Sequence, residues 1–137
     1  MRYLIDTSIL VKIAAERDLL SADVQALIDD SDNMFFISSE SIKEFIHLVQ
    51  AGRIVLKKHF RSLEVFDLIE NHLGFYVKFA AKEHLRTFAA LEMIEGHSDL
   101  SDRLIIAQAL TEKMPLISSD TKFPKYRKQG LDLIFNH

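Results

Sequence analysis

In its 137 residues the sequence has no cysteine, only two prolines and only four glycines. Without cysteine there are no disulfides, thiol nucleophiles, thiolate-bound zinc or iron–sulfur clusters, and a cytoplasmic setting is expected. Gly52, Gly74, Gly96 and Gly130 are isolated, which excludes a phosphate-cradling glycine loop. No apolar run exceeds four residues, as at 34–37 and 104–107. A membrane-spanning helix and a signal-peptide core are therefore not expected, and no membrane partner is assigned. Linkers, low-complexity tracts and internal repeats are also missing, so one domain over 1–137 is the expectation. Nor is there a basic excess. Lys plus Arg number 17 against 20 Asp plus Glu, a net charge of −3, which taken alone speaks against a nucleic-acid partner.

The charges that are present are segregated. Segment 16–32 holds six acids and one arginine, whereas Arg53, Lys57, Lys58 and Arg61, and then Lys122, Lys125, Arg127 and Lys128, form two basic stretches without an acid. These stretches read either as solvated faces or as phosphate-contacting patches. Short β-type runs alternate with helical ones. Strands are expected at 2–5, 34–37, 75–77, 116–118 and 131–135, and helices at 7–15, 22–29, 40–51, 59–72, 81–93 and 101–113. The last of these leaves little polar surface and reads as a buried central helix. Continuous apolar strands separated by helices indicate an α/β fold, with a parallel sheet covered on both faces.

In such folds, sites lie at the carboxyl ends of the strands. Asp6 ends the first strand and Asp120 a later one, so both are expected on the same sheet edge. Glu44 lies early in the helix after the second strand, and Asp102 begins the buried helix. Each has an ordinary explanation, as a helix cap, a dipole partner or a solvated charge. Together they pose an electrostatic problem, because two carboxylates ~5 Å apart at an effective dielectric of ~20 repel by roughly 3 kcal/mol. Protons or a bound cation must relieve that repulsion. All-oxygen donors without cysteine or paired histidines suit a hard ion, Mg²⁺ or Mn²⁺. The expected chemistry is metal-assisted phosphodiester hydrolysis.

Four segments then carry a family resemblance: Leu4-Ile5-Asp6-Thr7-Ser8, Ser38-Ser39-Glu40-Ser41-Ile42-Lys43-Glu44-Phe45, His97-Ser98-Asp99-Leu100-Ser101-Asp102-Arg103-Leu104-Ile105-Ile106-Ala107-Gln108-Ala109 and Ser118-Ser119-Asp120-Thr121-Lys122-Phe123. In this order they resemble the successive motifs of PIN-domain ribonucleases, and among these the VapC-like toxins of bacterial toxin–antitoxin pairs. The resemblance spans essentially the whole chain, and its most specific part is 97–109. It implies a three-layer α/β/α fold with a mainly parallel five-stranded sheet. It also implies a Mg²⁺ or Mn²⁺ site at Asp6, Glu44, Asp102 and Asp120, with Asp99 as a less constant neighbour. An RNA substrate, a cognate antitoxin lying across the helices near the site, and a homodimer are implied as well.

Departures from the pattern leave several roles open. Leu100-Ser101 stands where the subgroup usually has Pro-Phe, and Ser8 stands where a histidine is frequent. Ser8 reads as an aid to water or phosphate or as a helix-start cap. Asp99 with Asp102 also fits an N-cap and the third residue of one helix. His97 reads as a substrate-orienting or a structural histidine, Arg103 as a partner of an acid or of phosphate, and Lys122 as a substrate contact. Asp30 and Asp32 lack the glycine and terminal glutamate of a calcium loop and read as a turn.

Two other functions compete with this one. One is a PIN-like module that binds RNA or protein without cleaving. The other is a phosphatase with an aspartyl nucleophile, disfavoured because Ser8 occupies the place of its general acid. Setting the four candidate ligands aside leaves 16 acids against 17 bases, so mild net acidity does not exclude RNA; it locates a cation.

Overall fold

The computed structural model describes residues 1–56 and 60–137. Five strands, β1 (Arg2–Ile5), β2 (Met34–Ser38), β3 (Tyr76–Lys78), β4 (Leu116–Ser118) and β5 (Leu133–Phe135), form one sheet in the order β3-β2-β1-β4-β5. Every neighbouring pair is parallel, with Tyr3 opposite Phe35, Leu4 opposite Leu116 and Ile37 opposite Val77. The sheet is therefore all-parallel rather than mainly parallel.

Parallel strands need crossover connections, which cover both faces of the sheet. This accounts for the apolar continuity of β1. Its side chains alternate, and Tyr3 and Ile5 enter one core while Leu4 enters the other. The first core receives α1 (Thr7–Ala15), α2 (Ala22–Asp29), α3 (Ser39–Gln50) and α4 (Val65–Asp67), through residues such as Ile9, Val24, Phe45 and Val65. The second receives α6 (Leu100–Glu112), with Phe88 of α5 (Lys82–Ala90) against its margin. Burying each such side chain contributes about 1.5–3 kcal/mol. The buried character expected of α6 holds, since Arg103 and all five residues Ile105–Ala109 are buried. It ends at Lys113, a non-glycine residue in the left-handed region at φ 54°.

The helix expected at 59–72 is less regular. Its first residue, His59, lies outside the described residues, as do Lys57 and Lys58 of the first basic stretch. The rest of the segment is a 3₁₀ turn at Ser62–Glu64, then α4, then a π turn at Leu68–His72. The wider last turn, with Leu73 N–H bonded to Leu68 C=O at 2.9 Å, keeps Val65, Leu68 and Ile69 all in the core. The second basic stretch runs from Lys122 into a 3₁₀ segment at Phe123–Gln129 that Pro124 opens and Gly130, at φ 101°, closes. Phe123 and Tyr126 point inward, and the four cations stay exposed.

Candidate active site

Because α1, α3 and α6 all begin at the carboxyl edge of the sheet, these helices share a cleft of about 410 Å³ with the residues after β4. Asp6, Glu44, Asp99, Asp102 and Asp120 line it, together with Thr7 and Ser8. Asp6 is the N-cap of α1 and accepts from Ile9 N at 3.0 Å. Its Oδ1 also accepts from Ser8 Oγ at 2.7 Å and its Oδ2 from Ser118 Oγ at 2.5 Å. Asp120 N–H in turn donates to Ser118 Oγ at 3.0 Å, so one hydroxyl joins the ends of β1 and β4. Asp120 Oδ1 accepts from Lys122 N at 2.8 Å. Asp99 caps α6 by accepting from Asp102 N at 2.9 Å.

Burial pushes Asp6 up to about 6, against the lowering effect of its bonds to Ser118, Ser8 and Ile9. Glu44 is pushed up to about 7, by burial first and then by the charges of Asp102 and Asp99. Asp102 is raised by burial, with Asp99 and Asp120 adding to the shift and the bond from His97 opposing it. At mildly acidic pH the cleft therefore holds protons that ordinary carboxylic acids would have lost.

Among the described residues, no three acidic or histidine side chains stand close enough together to hold a metal ion as they are placed. The four expected ligands share a cleft without forming a closed cage. Mutual repulsion and local donors explain this spacing, since Asp6, Asp102 and Asp120 each turn to a nearby hydroxyl, ring or backbone N–H. Among the described residues, the buried Glu44 Oε1 has no hydrogen-bond partner. An unpartnered oxygen among five carboxylates is the donor chemistry of a hard divalent cation, and the residues present fit one.

The remaining candidates fall differently. Ser8 lines the cleft, but the cap of α1 is Asp6; Ser8 instead receives Ser119 N–H at 3.3 Å while donating to Asp6, which fastens α1 to the end of β4. Lys122 is exposed beside Asp120. His97, read as substrate-orienting or structural, and Arg103, read as a partner of an acid or of phosphate, are both buried and do not line the cleft. His97 lies behind Asp102, with Nε2 3.3 Å from Asp102 Oδ2. Arg103 points away from the cleft and sets its guanidinium 4.8 Å from the centre of the Phe88 ring. A position adjacent to an acid in sequence faces elsewhere on a helix, so the placement of Arg103 beside Asp102 was not legible from spacing alone, and His97 lies before α6, where no helical spacing applies.

Sequence reasoning missed Lys12 and Glu16, which also line the cleft. The four-residue steps from Ser8 to Lys12 to Glu16 along α1 were the available signal. Ser118 was missed too, although it stands two residues before Asp120 at a strand end.

The sequence matches the PIN domain family over residues 3–129, and the chain belongs to that family. Solved structures agree on the fold. VapBC2 from Rickettsia felis bound to a promoter DNA fragment superposes with a TM-score of 0.70 at 20% identity, covering 100% of both chains. A toxin–antitoxin complex from Klebsiella pneumoniae gives 0.66 at 20% identity over 98% of each chain. FitAcB from Neisseria gonorrhoeae gives 0.62 at 15% identity, over 99% of this chain and 97% of the other. No curated protein matches the sequence.

Proposed function

We propose that the chain is a metal-dependent endoribonuclease and the toxin of a toxin–antitoxin pair. The observation that carries this reading is the charge imbalance of the cleft, where six acids, Glu16 included, face one lysine, Lys12. In this reading Asp6, Glu44, Asp102 and Asp120 hold Mg²⁺ or Mn²⁺. A bound ion supplies positive charge to a phosphoryl oxygen and makes hydroxide available near neutral pH. Below about pH 7 for Glu44 and about pH 6 for Asp6, ion binding would displace protons from these carboxyls.

The exposed Lys122, Lys125, Arg127 and Lys128 begin two residues after Asp120 and suit a phosphate backbone. Arg53 and Arg61 of the other stretch are exposed, with Arg61 bonded to Glu64 at 3.0 Å. The Klebsiella structure is described as a toxin–antitoxin complex, which supports an antitoxin as partner. A homodimer and a cytoplasmic setting belong to the same proposal. Among the described residues no helix is long and apolar enough to cross a membrane.

The deciding experiment expresses the wild type and Asp6→Asn without a partner protein and maps new RNA 5′ ends. Cleavage by the wild type alone is expected; equal activity in both overturns the assignment. The second reading, a PIN domain that binds without cleaving, draws support from the open spacing of the ligands. Calorimetric titration with Mn²⁺ separates the two, since a non-catalytic domain has no use for divalent-ion affinity.

A further inference from the structure

Behind Asp102 lies a polar arrangement that core packing does not require. The imidazole of His97 is 1% exposed and has partners at both nitrogens: the Tyr126 hydroxyl 2.6 Å from Nδ1 and Asp102 Oδ2 3.3 Å from Nε2. When Asp102 is ionised it only accepts, and Nε2 is then the donor to it, while the Tyr126 hydroxyl partners Nδ1. The contacts thus run from the Tyr126 hydroxyl through the ring to Asp102. Tyr126 meets the ring edge-on at 5.4 Å between centroids, and Phe123 flanks it at 6.1 Å. Both aromatics belong to the 3₁₀ segment whose outer face carries the exposed cations.

A second fastening joins the same two segments. Glu92 N–H donates to Gln129 Oε1 at 2.8 Å, and Gln129 Nε2 donates back to Glu92 C=O at 3.3 Å. The connection between α5 and α6 is therefore tied to the basic segment at Gln129 and at Tyr126. The ring hands that attachment on to a carboxylate of the cleft.

We infer that His97 and Tyr126 are positioning residues, which hold Asp102 in its aim toward the cleft and join that aim to the seating of the basic 3₁₀ segment. The inference rests on the reading of the cleft as a divalent-ion site. Groups that orient a metal ligand from behind change affinity about 10- to 100-fold when removed.

The test is calorimetric titration of Mn²⁺ into the full-length, metal-free chain. His97→Leu is expected to weaken binding about tenfold or more. His97→Gln keeps a donor near the place of Nε2 and should recover most of that loss. Tyr126→Phe should weaken binding by a smaller factor. Wild-type affinity in His97→Leu overturns the inference, and so does an equal loss in the leucine and glutamine variants, which would mark a packing role. If His97→Leu fails to fold by far-UV circular dichroism, an unchanged affinity in folded Tyr126→Phe overturns it instead. A wild type that binds no Mn²⁺ overturns the metal reading itself, and the inference falls with it.

Discussion

At the carboxyl end of α6, Glu112 meets the buried His84 ring at 2.8 Å and Lys78 at 3.2 Å, with Arg2 at 3.7 Å. At the amino end of the same helix, Asp102 also meets a buried histidine, but its other neighbours are Asp99 and Asp120. The two sites share a residue vocabulary and differ in sign. The bond from His84, and then Lys78, hold Glu112 below the usual carboxylate range, whereas burial and the acids around it raise Asp102. Ala81 N–H donates to His84 Nδ1 at 2.9 Å, which leaves His84 Nε2 to donate to Glu112. A carboxylate whose charge is matched by protein cations fastens structure. A group of carboxylates that outnumbers its cations, as six acids do one lysine among the described residues of the cleft, is arranged for a ligand that supplies the charge.

The largest test of this contrast is catalytic. Asp6→Asn should lower RNA cleavage by more than about a hundredfold, beyond the range for residues that merely support a ligand, with the far-UV spectrum unchanged. Glu112→Gln should leave cleavage unaltered, and rate measurements on both variants check the pair. Next comes ligand-linked stability. At a Mn²⁺ concentration 100 times its Kd the wild type should gain about 2.7 kcal/mol, read as a higher Tm. Asp120→Asn should show a smaller rise, and Glu112→Gln the full one.

Neutralising substitutions in metal-free protein at pH 8 should move stability in opposite directions. Glu44→Gln removes a charge that burial and three acids oppose, and should stabilise by about 1–3 kcal/mol. Glu112→Gln strips charge from a partly exposed ion-pair group and should cost about 1 kcal/mol, a fall in Tm of roughly 3 °C. Thermal melts in chelator decide this, and the same sign for both would dissolve the contrast.

The smallest effect is on the pH profile. Asp6 and Glu44 keep protons up to about 6 and about 7, while in the unfolded chain they lose them near 3.8 and 4.5. The folded state binds more protons across that window, so metal-free stability falls as pH rises from about 4 through about 7 and then levels off. Glu112 works the other way: its contribution is present above 4.5 and is lost as pH falls through its lower folded value. Melts in chelator should show the decline toward neutrality, and saturating Mn²⁺ should flatten it. A metal-free Tm that climbs from pH 5 to 8 would refute the cleft's share.

Much of this molecule is legible in its sequence. The apolar runs of β1, β2 and β4, the helical spacing of Ile9, Leu10 and Ile13, and the buried character of α6 come from side-chain period and burial, which are local properties. The 59–72 region reads as an ordinary helix because its apolar spacing is helical. The π turn appears only when Val65, Leu68 and Ile69 must all meet the sheet. Asp6, Glu44, Asp102 and Asp120 stand out because strand ends and helix starts share one edge in a parallel sheet. Chain adjacency suggests substrate contacts at His97 and Arg103, but it says nothing about which way a side chain faces.

The sequence by itself determined the strand and helix pattern, the α/β class and the placement of acids at one edge, since backbone period and capping chemistry act over a few residues. Only the tertiary structure decided the partners: Ser118 for Asp6, 112 positions away, Tyr126 for His97, 29 away, and Glu112 for His84, 28 away. Those pairings set which carboxylates are neutralised and which are left in want of a cation. Coulomb interactions and desolvation depend on distance in space, and a linear sequence does not contain that distance.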